Sequence, residues 1–261
     1  MKGNRMRQLK LIAVAAAALA TLFAAGCATP IAGSYNTEQE IKLGRQVAAE
    51  VERQNKIDED PADNERIQAI AKPVLAQAKA ARSEVDYKVK IIRSKQVNAF
   101  SLPGGWIYIY TGLLEKAGND DDAIACVIGH ESAHVVRRHA IKQLQKAQSQ
   151  GLLVNLVGIL TRSDAAYQIA ALGTQLQQLH YSREDEYEAD KYGLMFAYNA
   201  GYDPYGMVRF FSVLERLEGA GAGSTPWASD HPITRNRIDR VNELIAELRA
   251  NNGKYPEETR K

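Results

Sequence analysis

The amino-acid sequence predicts an α+β fold, mainly helical, with a small β-sheet packed on a helix that carries two histidines and a glutamate at close spacing. Three observations carry that expectation. Composition is that of a globular chain, 45% hydrophobic and 25% charged over 261 residues. Apolar residues recur at helical spacing over most of the length. Period-two alternation is confined to two short stretches near the middle. No internal repeat of roughly 20 to 50 residues is visible, so a solenoid or propeller is not expected.

Residues 1–26 stand apart. Lys2, Arg5, Arg7 and Lys10 precede an apolar run from Leu11 to Ala25. At about 15 residues this run is shorter than the roughly 20 a bilayer-spanning helix needs, and the order of charge, apolar run and small residues is that of a signal peptide. The stretch "FAAGCATP" resembles a bacterial lipobox, which makes Cys27 the lipidated first residue of the mature chain and 27–36 a tether. Ala24 stands where Leu is commonest in that motif, so cleavage without lipidation stays open. By the same resemblance, Ala28 after the cysteine favours the outer membrane. Loss of residues 1–26 removes four of 33 positive charges and no negative one, leaving 29 basic against 31 acidic residues. That balance offers no electrostatic basis for nucleic-acid binding. Cys126, the other cysteine, sits in the apolar run "AIACVIG" and reads as a core residue.

Residues 37–261 read as a single domain. Thr37 and Glu40 have capping-box spacing at the start of a helix through "TEQEIKLGRQVAAEVERQ". A second helix fits Pro61 to Ala81, with Ile67, Ile70, Val74, Leu75 and Ala78 on one side and Pro73 expected to kink or split it. In "VDYKVKIIRS", Val85, Tyr87, Val89 and Ile91 alternate with Asp86, Lys88 and Lys90, the pattern of a strand with one wet face. A second strand fits "GWIYIYTG", after a turn at Pro103, Gly104 and Gly105. Helical spacing then returns from Asp120 to about Gln148, with Asp120, Asp121 and Asp122 at the positive end of the helix dipole. Further helices fit about Asp164–Leu179, Arg183–Ala200, Pro204–Glu218 and Pro232–Ala250, the third entered through a cap at Asp203 and the last preceded by the glycine-rich "EGAGAGSTPWASD".

The 120–148 helix contains "GHESAHVVRRHA". His130 and His134, four apart, lie one turn from each other on one face and can offer ring nitrogens to a single ion. Glu131, beside the first histidine, can reach a water on that ion without being a ligand, the arrangement of H-E-x-x-H peptidases. A third ligand is expected in "LHYSREDEYEADKYGL", where His180, Glu184, Asp185, Glu186, Glu188 and Asp190 are all chemically able and spacing alone does not choose. Glu186 and Asp190 do share a helical face, which suits one ligand and one carboxylate that orients a ligand histidine.

Several blocks together resemble the membrane-associated zinc metallopeptidases of the HtpX, LoiP and BepA type, a family that also includes Oma-type and CAAX prenyl proteases. "HESAHV" and "SREDEYEAD" match the family's ligand blocks, and the resemblance implies one Zn2+ held by His130, His134 and Glu186, with Asp190 supporting a ligand histidine. "NAFSLPGGWIYIYTGLL" looks like the family's block leading into the edge strand on which substrate adds as a further strand, which implies that Asn98, Gly105, Trp106, Ile107 and Tyr108 contact substrate. From the residues alone, Trp106, Tyr108 and Tyr110 read equally well as one packed face of a strand. "SDHPITRNRI" is similar to the family's His-Pro block, so His231 and Arg237 join Glu131 as catalytic candidates, to stabilise the oxyanion or, for His231, to gate the zinc; Asp230 stands where Thr is usual. The resemblance implies a gluzincin-type domain over roughly Glu38 to Ile245. No role follows for His139 or His180.

The function expected from these residues is zinc-dependent endopeptidase action on misfolded or misassembled proteins of the bacterial periplasm, with the membrane reached through lipid on Cys27. The rival expectation is a chaperone or assembly factor for outer-membrane proteins that keeps the fold with little or no proteolysis. A closed structural zinc site and a prenyl-protein processing enzyme are weaker alternatives, since Glu131 stands free of the ligand set and no set of spans is present. "GLLVNLVGIL", between catalytic helix and third ligand, is too short to cross a bilayer and reads as core or a lid over the cleft.

Overall fold

The computed structural model describes residues 35–149, 165–219 and 225–255. The expected signal, the expected tether as far as residue 34, the apolar stretch 151–160 and residues 220–224 of the glycine-rich stretch lie outside the described residues.

The chain opens with α1 (Thr37–Gln54) and α2 (Pro61–Ala81). The capping box of α1 sits one residue earlier than the spacing suggests: Asn36 is the cap, its Oδ1 accepting from the Gln39 N–H at 2.8 Å while Gln39 Oε1 accepts from the Asn36 N–H at 3.1 Å. Glu40 is thereby free for another use. It is fully buried, and its carboxylate accepts from Arg82 at 2.8 Å through both oxygens and from Arg138 Nε at 2.8 Å. Pro73 does not split α2. The carbonyl it deprives of a donor belongs to Ala69, which is exposed, so water can satisfy it.

Three strands follow, β1 (Lys88–Ile92), β2 (Ala99–Leu102) and β3 (Trp106–Tyr110), in the order β1-β3-β2. β1 runs parallel to β3, and β2 antiparallel to it with Phe100 opposite Tyr108. β2 is too short to show a period of its own, which is why the sequence suggests two strands and not three. Along β1 the expected wet face is partly kept, with Lys88 exposed and Lys90 half-buried, whereas β2 and β3 are buried on both faces. Val89, Ile91, Ile107 and Ile109 pack with residues of α2 and later helices, while Phe100, Trp106, Tyr108 and Tyr110 pack with Leu43, Val47 and Val51 of α1. Lys90 pairs with Glu52 of α1 at 2.8 Å.

After the short α3 (Thr111–Ala117) comes α4 (Asp121–Val136), capped by Asp120. The expected continuous helix to Gln148 breaks here. Arg138 takes a left-handed conformation, φ +60°, and α5 (His139–Ser149) starts anew. A non-glycine residue adopts that conformation at roughly 1–2 kcal/mol, and the Glu40 carboxylate that receives the Arg138 guanidinium holds it there. The remaining described elements are α6 (Ala165–Gln177), α7 (Arg183–Asn199), α8 (Gly206–Leu217), α9 (Pro226–Asp230) and α10 (Arg235–Ala250). The last two replace the single expected start at Pro232: Thr234 caps α10 by accepting from the Arg237 N–H at 3.2 Å.

The pairing that matters for the site is α4 against α7. A Cβ on Gly129 would lie 2.4 Å from the Gly193 carbonyl oxygen, and one on Gly193 would lie 2.6 Å from the His130 nitrogen, so the two helices touch backbone to backbone. Gly193, Asp190 and Glu186 share one face of α7 by helical spacing, so this contact delivers both carboxylates to His130. Gly193→Ala is therefore expected to reduce stability by about 1–3 kcal/mol and to lower retained metal, read by thermal unfolding of the metal-free protein and by metal content after dialysis.

Candidate active site

His130, Glu131 and His134 project from α4, and Glu186 and Asp190 from α7. Ser182 caps α7 in a box with Asp185, which leaves Glu184, Asp185 and Glu186 in its first turn, where the helix dipole favours carboxylates. His231 ends α9 and Arg237 stands in the first turns of α10. The six functional side chains other than Asp190 are spread over three blocks of sequence, and the fold brings them, with Asp190, into one buried cluster.

His130 Nε2 and His134 Nε2 are 3.0 Å apart, and Glu186 lies 3.5 Å from the first through Oε2 and 3.4 Å from the second through Oε1. Ligand atoms bound tetrahedrally at about 2.0–2.1 Å from one zinc-sized ion are roughly 3.3 Å from one another. The three donors fit that requirement. His231 joins them, its Nδ1 3.2 Å from His130 Nε2 and 2.8 Å from Glu186 Oε1. The His130, His134, Glu186 and His231 donor atoms all lie within 4.8 Å of one another. Burial holds the His134 imidazole well below its usual range, hence neutral and able to act as a ligand. Burial alone would raise the Glu186 carboxyl, but His231, Arg237 and His130 outweigh it and hold Glu186 well below the usual carboxylate range.

Glu131 is not part of the ligand set. Its Oε2 accepts from Ser101 Oγ at 3.0 Å, and its Oε1 is buried with no hydrogen-bond partner, 3.5 Å from His231 Nε2. Around the cluster, Tyr181 stacks on His134 with ring centroids 3.9 Å apart, and Trp227 stacks on His231 at 4.8 Å. Asp190 Oδ1 lies 3.0 Å from His130 Nδ1, on the side of the ring away from the other donors, which is where an orienting carboxylate belongs.

Arg237 does not serve as an oxyanion donor in this arrangement. Its Nε and Nη2 donate to the two Asp190 oxygens at 2.7 Å, while its Nη1 is 2.8 Å from Glu186 Oε2 and donates to the His231 carbonyl at 3.0 Å. With its donors committed and its side chain buried, it acts as the clasp that holds both α7 carboxylates. Gly105, Trp106, Ile107 and Tyr108 are a second correction. Trp106–Tyr110 is the central strand, hydrogen-bonded to β1 on one side and β2 on the other, so it has no free edge for a peptide. β1 and β2 are the two edges of the sheet, and β2 is the edge that carries Ser101 toward Glu131. Asn98, just before β2, lines a polar cavity of about 390 Å³ together with Asp230 and Gln177. Tyr181, Tyr187 and Pro232 line a separate cavity of about 180 Å³ that reaches Glu186 and Arg237.

His139, for which the sequence suggests no role, is fully buried against His134, with Nδ1 to Nδ1 2.9 Å apart. Nothing short of the helix break at Arg138 would have exposed that contact in the sequence. Its other nitrogen, Nε2, is 2.8 Å from Glu188 Oε2. His180 is exposed, its Nδ1 3.0 Å from the Ser229 carbonyl.

Partial burial would raise the Glu188 carboxyl, but hydrogen bonds from Arg137 and His139 outweigh it and hold it at about 2, below its ordinary 4.5. A depressed carboxyl stabilises the fold above its unfolded value and loses that contribution as pH falls toward 2. Thermal unfolding of Glu188→Gln against wild type is expected to show a lower midpoint for the variant at pH 7, by less than about 1 kcal/mol at this partly exposed position, with the gap closing between pH 4.5 and 2.

The chain matches the description of peptidase family M48 over residues 61–245. It is similar to a putative beta-barrel assembly-enhancing protease of Vibrio cholerae serotype O1, 29% identical over 218 residues that cover 80% of this chain and 44% of that protein. It is also similar to the mitochondrial metalloendopeptidase OMA1 of Schizosaccharomyces pombe, 29% identical with 65% of this chain and 50% of that protein covered. The metalloprotease LoiP of Escherichia coli is 31% identical over 62% of this chain and 63% of its own length. The chain thus spans about half the length of the first two of these relatives. With a match over most of its length and the His-His-Glu cluster that such a peptidase needs, the chain belongs to peptidase family M48.

Proposed function

We propose that the protein is a zinc-dependent endopeptidase of the bacterial periplasm that hydrolyses peptide bonds in misfolded or misassembled envelope proteins. The observation that carries this reading is the unpartnered Glu131 Oε1, a buried carboxylate oxygen left bare beside three converging metal donors. A structural metal site would have no use for it. His130, His134 and Glu186 would hold the ion, and zinc bound there supplies a Lewis acid that polarises a peptide carbonyl and activates water near neutral pH. Glu131 Oε1 receives the proton from the attacking water and passes it to the leaving amine, while Ser101 Oγ keeps the carboxylate aimed. An extended peptide would pair with the free side of β2, a sequence-tolerant mode suited to unfolded clients.

The His231 ring fills the space between Glu131 and Glu186, where water and substrate must come. It therefore acts as a gate, closed in this arrangement. Relatives named for β-barrel assembly support an envelope client class, and the lipobox-like "FAAGCATP" supports a lipid anchor at Cys27 on the outer membrane.

Three chains test the chemistry: wild type, Glu131→Gln and His231→Ala, assayed for zinc content and for cleavage of an unfolded protein by mass spectrometry. Glu131→Gln is expected to keep zinc and lose cleavage by about 10²–10⁴-fold, and His231→Ala to cleave faster than wild type. Zinc in all three with no cleavage by any would favour the assembly-factor reading. For the anchor, cell fractionation of Cys27→Ala is expected to move the protein from the membrane to the soluble fraction, and unchanged membrane association would refute lipidation.

A further inference from the structure

His139 has a directional arrangement of partners. Its Nδ1 is 2.9 Å from His134 Nδ1 and its Nε2 is 2.8 Å from Glu188 Oε2, while Glu188 Oε1 accepts from Arg137 Nη2 at 2.5 Å. A hydrogen bond between two imidazole nitrogens requires one protonated and one bare nitrogen. His134 Nε2 faces His130 and Glu186, where a ligand must present a lone pair. The proton of His134 is then on Nδ1, and the bare nitrogen opposite is Nδ1 of His139. That leaves the His139 proton on Nε2, aimed at the carboxylate. With His134 Nε2 presented to a metal and both rings neutral, only this set of tautomers satisfies the two His139 contacts.

The helix break makes this possible. Residues 134 and 139 on one uninterrupted helix would project about 140° apart, whereas the left-handed Arg138 turns α5 so that His139 lies over the back of His134. We propose that His139 is a positioning residue for the metal: as a neutral acceptor backed by Glu188, it fixes His134 as the Nδ1–H tautomer and so presents the Nε2 lone pair to the ion. The inference rests on the metallopeptidase reading of the site.

The choice of an imidazole has an electrostatic reason. His130 is backed directly by the Asp190 carboxylate. A divalent ion together with Arg237 already balances Glu186, Asp190 and Glu131 within one buried pocket. A further carboxylate in contact with His134 would leave excess negative charge there, at a large desolvation cost. The His139 ring moves that charge one side chain outward, where Arg137 neutralises it.

The test compares the purified full chain with His139→Leu, which keeps bulk and removes the acceptor, and His139→Asn, which keeps an acceptor oxygen near the Nδ1 position. Zinc affinity is read by competition with a chromophoric chelator, and thermal midpoints of the metal-free proteins report folding. His139→Leu is expected to bind zinc ten- to a hundredfold more weakly, His139→Asn to retain most of the affinity, and long-range ¹H–¹⁵N spectra of the loaded wild type to show His134 protonated at Nδ1 and His139 at Nε2. Undiminished affinity in His139→Leu, equal losses in both variants, or a loaded wild type with His139 protonated at Nδ1 overturns the proposal. If His139→Leu does not fold, the wild-type tautomers decide. A wild type that binds no zinc would overturn the metal-site reading itself, an outcome the comparison of variants cannot be confused with.

Discussion

The backbone contact between Gly129 and Gly193 is the constraint on which the site depends. At larger separation Glu186 could not come within 3.5 Å of both histidines, and Asp190 could not reach the far side of the His130 ring. Two neighbouring features share the requirement for closeness. Gly206 meets the backbone of Asp122 at the other end of α4, so the catalytic helix is gripped at more than one point along its length. The apolar residues around it, Ile124, Val127 and Ile128 among them, then pack between α2, α7 and the sheet.

Closeness concentrates charge, and the arrangement of the polar residues follows from that. Arg237 meets Glu186 and Asp190 together, because a planar guanidinium offers several donors in a fixed fork and stays charged when buried. It also donates to the His231 carbonyl, which fixes the main chain of the gate. A second buried cluster, Glu40 with Arg82 and Arg138, sits at the far end of α4 and determines where that helix stops. Both clusters consist of a carboxylate claimed by more than one cation or a cation claimed by more than one carboxylate, so each keeps full pairing if one contact loosens.

Much of this was legible in the sequence, for identifiable reasons. The H-E-x-x-H spacing fixes its own geometry through the helical repeat, and Glu186 with Asp190 obeys the same rule. Helices with capping residues and regular apolar spacing, such as Arg183–Asn199, were recognisable at their starts. What escaped depended on tertiary pairing. β2 has only four residues, all buried, so no alternation marks it, and with β2 unseen the central strand was mistaken for an edge. The break after Val136 has no glycine or proline to announce it, since the side chain that permits it, Glu40, lies almost a hundred residues earlier. His139 was hidden for the same reason, and Arg237 was misread because its acceptors come from another helix.

The ligands are divided between helices that begin 62 residues apart, α4 at Asp121 and α7 at Arg183. A chain in which α7 has not yet docked offers an ion only two imidazoles on one helix, with no imposed geometry. Affinity at such a half-site follows the general order of divalent metals, in which copper outranks zinc. Docking adds a carboxylate and a tetrahedral shape that copper(II) does not prefer. Discrimination among divalent ions at these donors would therefore depend on the docking of α7 against α4 and not on the histidine pair alone.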